Sequence, residues 1–181
     1  MIIKNLKQTS KDYIGRDIKD AIITVPLYFN SSQREAIRDA SKISVINVIR
    51  IVNKEIALYY AYGLDKKKKN ILVFHMGGNE TNVTILDLKD SIFEIKGTVR
   101  DDNLGGNLFD EELVKYCINQ FKEHTGIIIN NSSKACQKLQ VECERNKRDL
   151  SSIQQSKIYI DALADGEHFN ITITRPQFEF I

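Results

Sequence analysis

Two apolar runs meet across a glycine pair in Ile71 to Leu86, ILVFHMGGNETNVTIL, and leave no room for a helix between them. The stretch predicts a β-hairpin. Ile71 to Phe74 reads as an unbroken apolar strand of the kind buried on both faces, and Val83, Ile85 and Leu86 supply the inward residues of the returning strand. Gly77 and Gly78 form the tip. Two glycines let the backbone adopt positive φ and bring N–H groups close to an anion, so such a tip is a candidate phosphate cradle. By spacing alone, a glycine tip more often only turns the chain.

Upstream, Leu6, Tyr13 and Ile14 fall near helical spacing before Gly15, a helix-ending residue. Ala21 to Val25 is a short β-rich run stopped by Pro26, and Ser32-Gln33-Arg34-Glu35 has the pattern of a capping box opening a helix to about Ser44. Val45 to Val52 reads as a strand and Glu55 to Tyr62 as a helix ended by Gly63. This strand-helix alternation implies parallel pairing in an α/β architecture.

Downstream, Asp87 to Asp90 reads as a polar turn into a third strand, Ser91 to Val99, which completes a meander. After a loop holding Gly105 and Gly106, one helix face carries Phe109, Leu113, Tyr116, Cys117 and Phe121. Ser132 and Ser133 are placed to cap a long helix to about Leu150, with Ala135, Leu139 and Cys143 on its apolar face. Two strands, Ser156 to Leu163 and Phe169 to Thr174, flank an Asp165-Gly166 turn. The change of pattern near Leu64 to Asn70 suggests a lobe boundary, with residues 1–64 in one lobe and 65–181 in the next.

The net charge of +2 over 181 residues is too small to argue for nucleic-acid or membrane binding, neither of which is expected, and Lys66 to Lys69 reads as a solvated loop. No apolar run approaches the ~20 residues of a membrane span, and the start lacks the apolar centre of a signal peptide, so a cytoplasmic protein is expected. Cys117, Cys136 and Cys143 form no CxxC pair and suit reduced thiols. His124 and His168 lack ligand-spaced neighbours. The acidic cluster Asp110-Glu111-Glu112 reads as a first-turn group complementing a helix dipole.

The segments VPLYFNSSQREAIRDA, INVIRIVNKEIALYYAYGLDKK, LGGNLFDEELV and ECERNKRDLSS, in that order, closely resemble the nucleotide-binding domain of the seventy-kilodalton heat-shock chaperones. The resemblance covers essentially the whole chain. It implies an actin-like ATPase fold of the ribonuclease-H-like type, incomplete here: the end of lobe I plus much of lobe II. In that family two α/β lobes clamp ATP and magnesium, and hydrolysis controls a peptide-binding domain. The expectation is a chain without the family's first phosphate hairpin, catalytic lysine, late adenosine loop or peptide-client domain.

Carried over position by position, the hairpin tip matches a phosphate motif of the form Asp-Leu-Gly-Gly-Gly-Thr-Phe-Asp, here His75-Met76-Gly77-Gly78-Asn79-Glu80-Thr81-Asn82. The carboxylates that organise magnesium have become His75 and Asn82, the third glycine is Asn79, and the threonine is Glu80, whose charge would repel a terminal phosphate. The family's Asn-Glu-Pro-Thr segment appears as Asn53-Lys54-Glu55-Ile56, so Lys54 replaces another active-site carboxylate. No intact catalytic set is expected from Lys54, His75, Glu80 and Asn82, no metal ligands, and weak or absent magnesium binding.

Phosphate contacts are expected at Gly77, Gly78, Asn79, Gly105 and Gly106. The adenosine end matches better: Glu144, Lys147, Arg148 and Ser151 align with the family's adenosine-contacting helix, and their spacing puts them on one face. Without the resemblance they read as a solvated, salt-bridged face. The expected function is a chaperone-like ATP- or ADP-binding segment impaired in hydrolysis. The alternatives are a non-catalytic module binding co-chaperones, nucleotide-exchange factors or full-length relatives, or a decayed copy.

Overall fold

The computed structural model describes residues 1–63, 70–89, 92–131 and 133–181. It is α/β, as expected, and clusters into two compact units: Met1–Phe74 with Val83–Val99, and His75–Asn82 with Arg100–Ile181. The first unit takes in residues 70–74 of the first hairpin strand, 83–89 of the second strand and 92–99 of the third. The Leu64 junction and the Lys66 to Lys69 run lie outside the described residues.

In the first unit, helix α1 (Ile2–Ile14) ends at Gly15, whose φ of 76° and N–H bond to Lys11 O make a left-handed cap. Strand β1 (Asp20–Val25) pairs in parallel with β2 (Asn47–Asn53), with Asp20 opposite Asn47 and Val25 opposite Asn53. Helix α2 (Ser31–Ile43) bridges them. Its capping box is not the Ser32/Glu35 pair but Asn30 and Gln33, each side chain accepting from the other's backbone N–H at 2.9 Å. Both pairs have the right spacing, and the earlier one adds two residues to the helix. Helix α3 (Lys54–Ala61) follows, with Gly63 at φ 59° just beyond it.

Val45 does not begin the second strand. It sits at φ 56°, its N–H bonds Lys42 O, and Ile46 N–H reaches back to Ser41 O at 3.0 Å. These two bonds make a Schellman turn whose left-handed position holds a β-branched residue where glycine is usual.

The predicted meander is present as β3 (Asn70–Met76), β4 (Thr81–Lys89) and β5 (Ile92–Asp101), in that order across the sheet. Two burial expectations fail. Leu72 and Phe74 are 64% and 61% exposed, so β3 is not buried on both faces; Ile71 is buried and Val73 partly buried on the other face, against the core. On β4, Ile85 is exposed while Thr84, Leu86 and Leu88 are buried, and Thr84 Oγ1 meets Thr98 Oγ1 at 3.1 Å. Asp87 to Lys89 continue the strand rather than turn, with Asp87 ion-paired to Lys89 and Lys96; Asp90 and Ser91 lie outside the described residues. Tyr59, Ile71, Leu86 and Leu88 form the core here, and Phe93 meets Tyr59 edge to face at 4.8 Å between centroids.

The second unit packs helices α4 (Gly106–Thr125) and α5 (Lys134–Leu150) on the antiparallel hairpin of β6 (Gln155–Ala164) and β7 (Glu167–Thr174). The predicted turn holds: Asp165 and Gly166 both adopt positive φ, 49° and 84°, as a two-residue hairpin loop of this kind requires. Ser133 caps α5 by accepting from Cys136 N, while Ser132 lies outside the described residues. Leu113, Phe121, Leu139, Leu150, Ile158 and Ile173 are almost wholly buried, each such side chain contributing roughly 1.5–3 kcal/mol. Phe109 instead faces Phe178 of the last helix, α6 (Arg175–Phe180), 6.5 Å between centroids. One polar residue is an exception in this core: Asn146 is fully buried, and neither amide atom has a hydrogen-bond partner.

Val45 is 75% exposed, so its side chain contributes little packing to set against its backbone strain. Val45→Gly is expected to stabilise the chain by about 1 kcal/mol, read as a raised denaturant midpoint with an unchanged m-value.

Candidate functional site

The tip of the first hairpin closes through Gly77 N–H to Glu80 O at 2.8 Å. Two of its carbonyls then satisfy the opening N–H groups of α4: Gly106 N–H donates to Gly77 O at 2.9 Å and Asn107 N–H to Gly78 O at 2.8 Å. Helix N-termini leave such donors without intrahelical partners, and here the tip supplies acceptors in place of a side-chain cap. Gly105, the N-cap, is extended at φ −167°, so its backbone would accept any residue. The requirement is steric: a Cβ there would sit 2.4 Å from Gly78 O and 2.8 Å from the Asn79 carbonyl carbon.

Side chains reinforce the contact. Thr81 Oγ1 donates to Leu104 O at 2.7 Å, and the Asn107 amide donates to Asn79 Oδ1. Glu80 is not a bare negative charge, as its place in the motif suggested. Arg100 Nε lies 3.3 Å from its carboxylate, and the same guanidinium pairs with Asp102. A cavity of about 270 Å³ opens beside the tip, lined by Gly78, Asn79, Asp102, Asn107 and Glu111 among others. His75 sits over the tip, with Nε2 3.6 Å from where a Gly77 Cβ would lie, and Asn82 is buried. Lys54 opens α3 in the first unit.

Of the four residues expected on the adenosine face, Lys147 turns toward α4. Its Nζ donates to Gly106 O at 2.8 Å and to Asp110 Oδ2 at 2.6 Å, and both partners of the ion pair are largely shielded. Glu144 and Arg148 form an exposed i, i+4 pair at 3.9 Å, and Ser151 caps the helix end, its N–H bonded to Arg148 O. The structure thus joins Gly77, Gly78, Asn79, Gly105, Gly106 and Lys147 in one contact network, with Glu144, Arg148 and Ser151 exposed along α5.

The acidic cluster is corrected as well. Because α4 starts at Gly106, no acid lies in its first turn, and Asp110 serves as the counter-ion of Lys147. Arg100, Asn107 and Asp110 were not anticipated as site residues. Their partners lie 20 to 37 positions away, where no local spacing could reveal them. Among the described residues, no three His, Cys, Asp or Glu side chains converge on a metal position, and no helix is long and apolar enough to cross a membrane.

The family profile described as "Hsp70 protein" matches residues 1–181. Heat shock 70 kDa protein 2 of Paracoccidioides lutzii is 42% identical over 99% of this chain and 28% of its own length. The heat shock 70 kDa proteins of Neurospora crassa and Trichophyton rubrum match at the same identity and coverage. The chain therefore spans little more than a quarter of the length of these relatives.

Gly105→Ala is expected to force the tip off α4 and cost about 1–3 kcal/mol, whereas Gly106→Ala meets only the flexible end of Lys147 at 3.4 Å and should cost well under half as much. Parallel thermal unfolding of the two variants checks the difference.

Proposed function

Because the chain belongs to the Hsp70 family, with the actin-like ATPase fold of that family's N-terminal region, we propose that it is a chaperone-like segment that binds adenine nucleotides without hydrolysing ATP. The observation that carries this is the state of α5. Lys147 is fastened to the α4 N-terminus at the glycine tip, while Arg148, Glu144 and Ser151 remain exposed on the same helix. Arg148 offers a planar cation to stack on adenine, and Glu144 and Ser151 offer acceptors and a donor to ribose hydroxyls.

The phosphate end supports binding without turnover. Magnesium does not fit this donor set: it favours hard anionic oxygens, and the two flanking hairpin positions are His75 and Asn82. Glu80 has no hydroxyl to offer, and its carboxylate is held by Arg100, which also pairs with Asp102. Without a metal-organising carboxylate, in-line attack on a γ-phosphate lacks its main source of charge stabilisation. Expected partners by the family reading are co-chaperones and nucleotide-exchange factors. Exposed Ile22, Ile43 and Ile49 in the first unit favour a second reading, a non-catalytic interaction module that engages such partners or full-length relatives through apolar contact.

Calorimetric titration tests the proposal. ADP and ATP should bind with similar affinity, with and without magnesium, and Arg148→Ala should weaken ADP about tenfold, more than Gly106→Ala does. Strict magnesium dependence would refute the dead phosphate site, and no binding by the folded chain would favour the interaction module. Glu80→Thr alone should release no phosphate from ATP above the parent's background, because Lys54, His75 and Asn82 remain; measurable turnover there would sink the account.

A further inference from the structure

In the core of the second unit, Cys117 of α4 and Cys143 of α5 place their sulfurs 3.9 Å apart, and both residues are fully buried. The two helices run in opposite directions at this point, since Asp110 meets Lys147 where Cys117 meets Cys143 further along. We propose that Cys117 and Cys143 form an oxidisable dithiol site that closes into a disulfide between α4 and α5 when hydrogen peroxide reaches it.

The Cys143 S–H donates to Cys117 Sγ. That donated bond, burial and the nearby Asp110 and Glu142 carboxylates push the Cys143 thiol far above its ordinary range, which disfavours Cys143 as the first nucleophile and leaves that role to Cys117 in this scheme. The Cys117 sulfur breaks the O–O bond of the peroxide, becoming a sulfenic acid as one water leaves. Cys143 then displaces hydroxide from that sulfur, the S–S bond forms, and a second water leaves. Two thiols lose two protons and two electrons, and one peroxide becomes two waters.

Burial selects this product over others. Neither sulfur has exposed surface, so oxidation requires a local opening of the helix pair. As the pair recloses, an oxidised Cys117 meets Cys143 before a second peroxide, the two sulfurs closing from 3.9 Å to the ~2.05 Å of a disulfide. The crosslink would tie the helix carrying Gly106 and Asp110 to the helix carrying Glu144, Lys147 and Arg148. It rests on the sulfur geometry alone and stands whether or not nucleotide binds.

The test is to oxidise the purified chain with hydrogen peroxide, alkylate the remaining thiols and map the products by mass spectrometry, for the parent and for Cys136→Ala. The expected product in both is a Cys117–Cys143 peptide pair two hydrogens lighter than the thiol form, reversed by dithiothreitol, with a raised unfolding midpoint in the oxidised chain. In Cys117→Ser, Cys143 should lose its thiol at least about tenfold more slowly. Disulfides through Cys136, interchain links, separate sulfinic acids at Cys117 and Cys143, or no oxidation of either in the folded chain would each overturn the proposal. If Cys117→Ser does not fold, the Cys136→Ala map decides.

Discussion

The second unit is organised by a backbone approach that only glycine permits. Gly105 brings the start of α4 so close to Gly78 that a single methyl group would overlap the Gly78 carbonyl. Through that gap the helix receives two acceptors for its opening donors, and its position follows. Lys147 then bonds Gly106 O and Asp110, which fixes α5 against the same point. The glycine-rich tip, two helices and an ion pair thus form one construction, in which the steric contact sets the geometry and the polar bonds hold it.

Much of the fold was legible because its signals are local. The Gly77-Gly78 tip, the left-handed cap at Gly15, the Ser133 cap and the Asp165-Gly166 turn each need only a few adjacent residues, and each lies where the sequence placed it. The capping box before α2 was ambiguous because Asn30/Gln33 and Ser32/Glu35 share one spacing. Burial of β3 was misread because an apolar run reports the side chains and not their neighbours; alternate residues Ile71 and Val73 meet the core, while Leu72 and Phe74 on the opposite face are uncovered. Val45 was misread as strand because a β-branched residue rarely takes a left-handed turn position.

The site was legible in its parts and not in its connections. Motif resemblance singled out Gly105, Gly106 and Lys147 for ligand contacts and carried no information on what they do for the fold. In the fold Gly105 makes room for the Gly78 carbonyl, Gly106 N–H donates to Gly77 O, and Lys147 holds a helix end. Glu80 shows the same limit from the other side. Its charge is plain in the sequence, but Arg100 pairs with it from 20 positions away, a relation that exists only once β4 and β5 are in place.

The fastening of the tip to α4 also determines which way its amides face. The described chain has no cis peptide, and in a trans peptide the C=O and N–H of one unit point in opposite directions. Gly77 O and Gly78 O are both aimed at the helix, so the N–H groups of Gly78 and Asn79, which share those peptide planes, are aimed away from it. The helix thereby orients two adjacent donors during folding, before any ligand arrives. A ligand accepting from them meets dipoles already turned, and the entropy of ordering that loop is lost at folding instead of at binding.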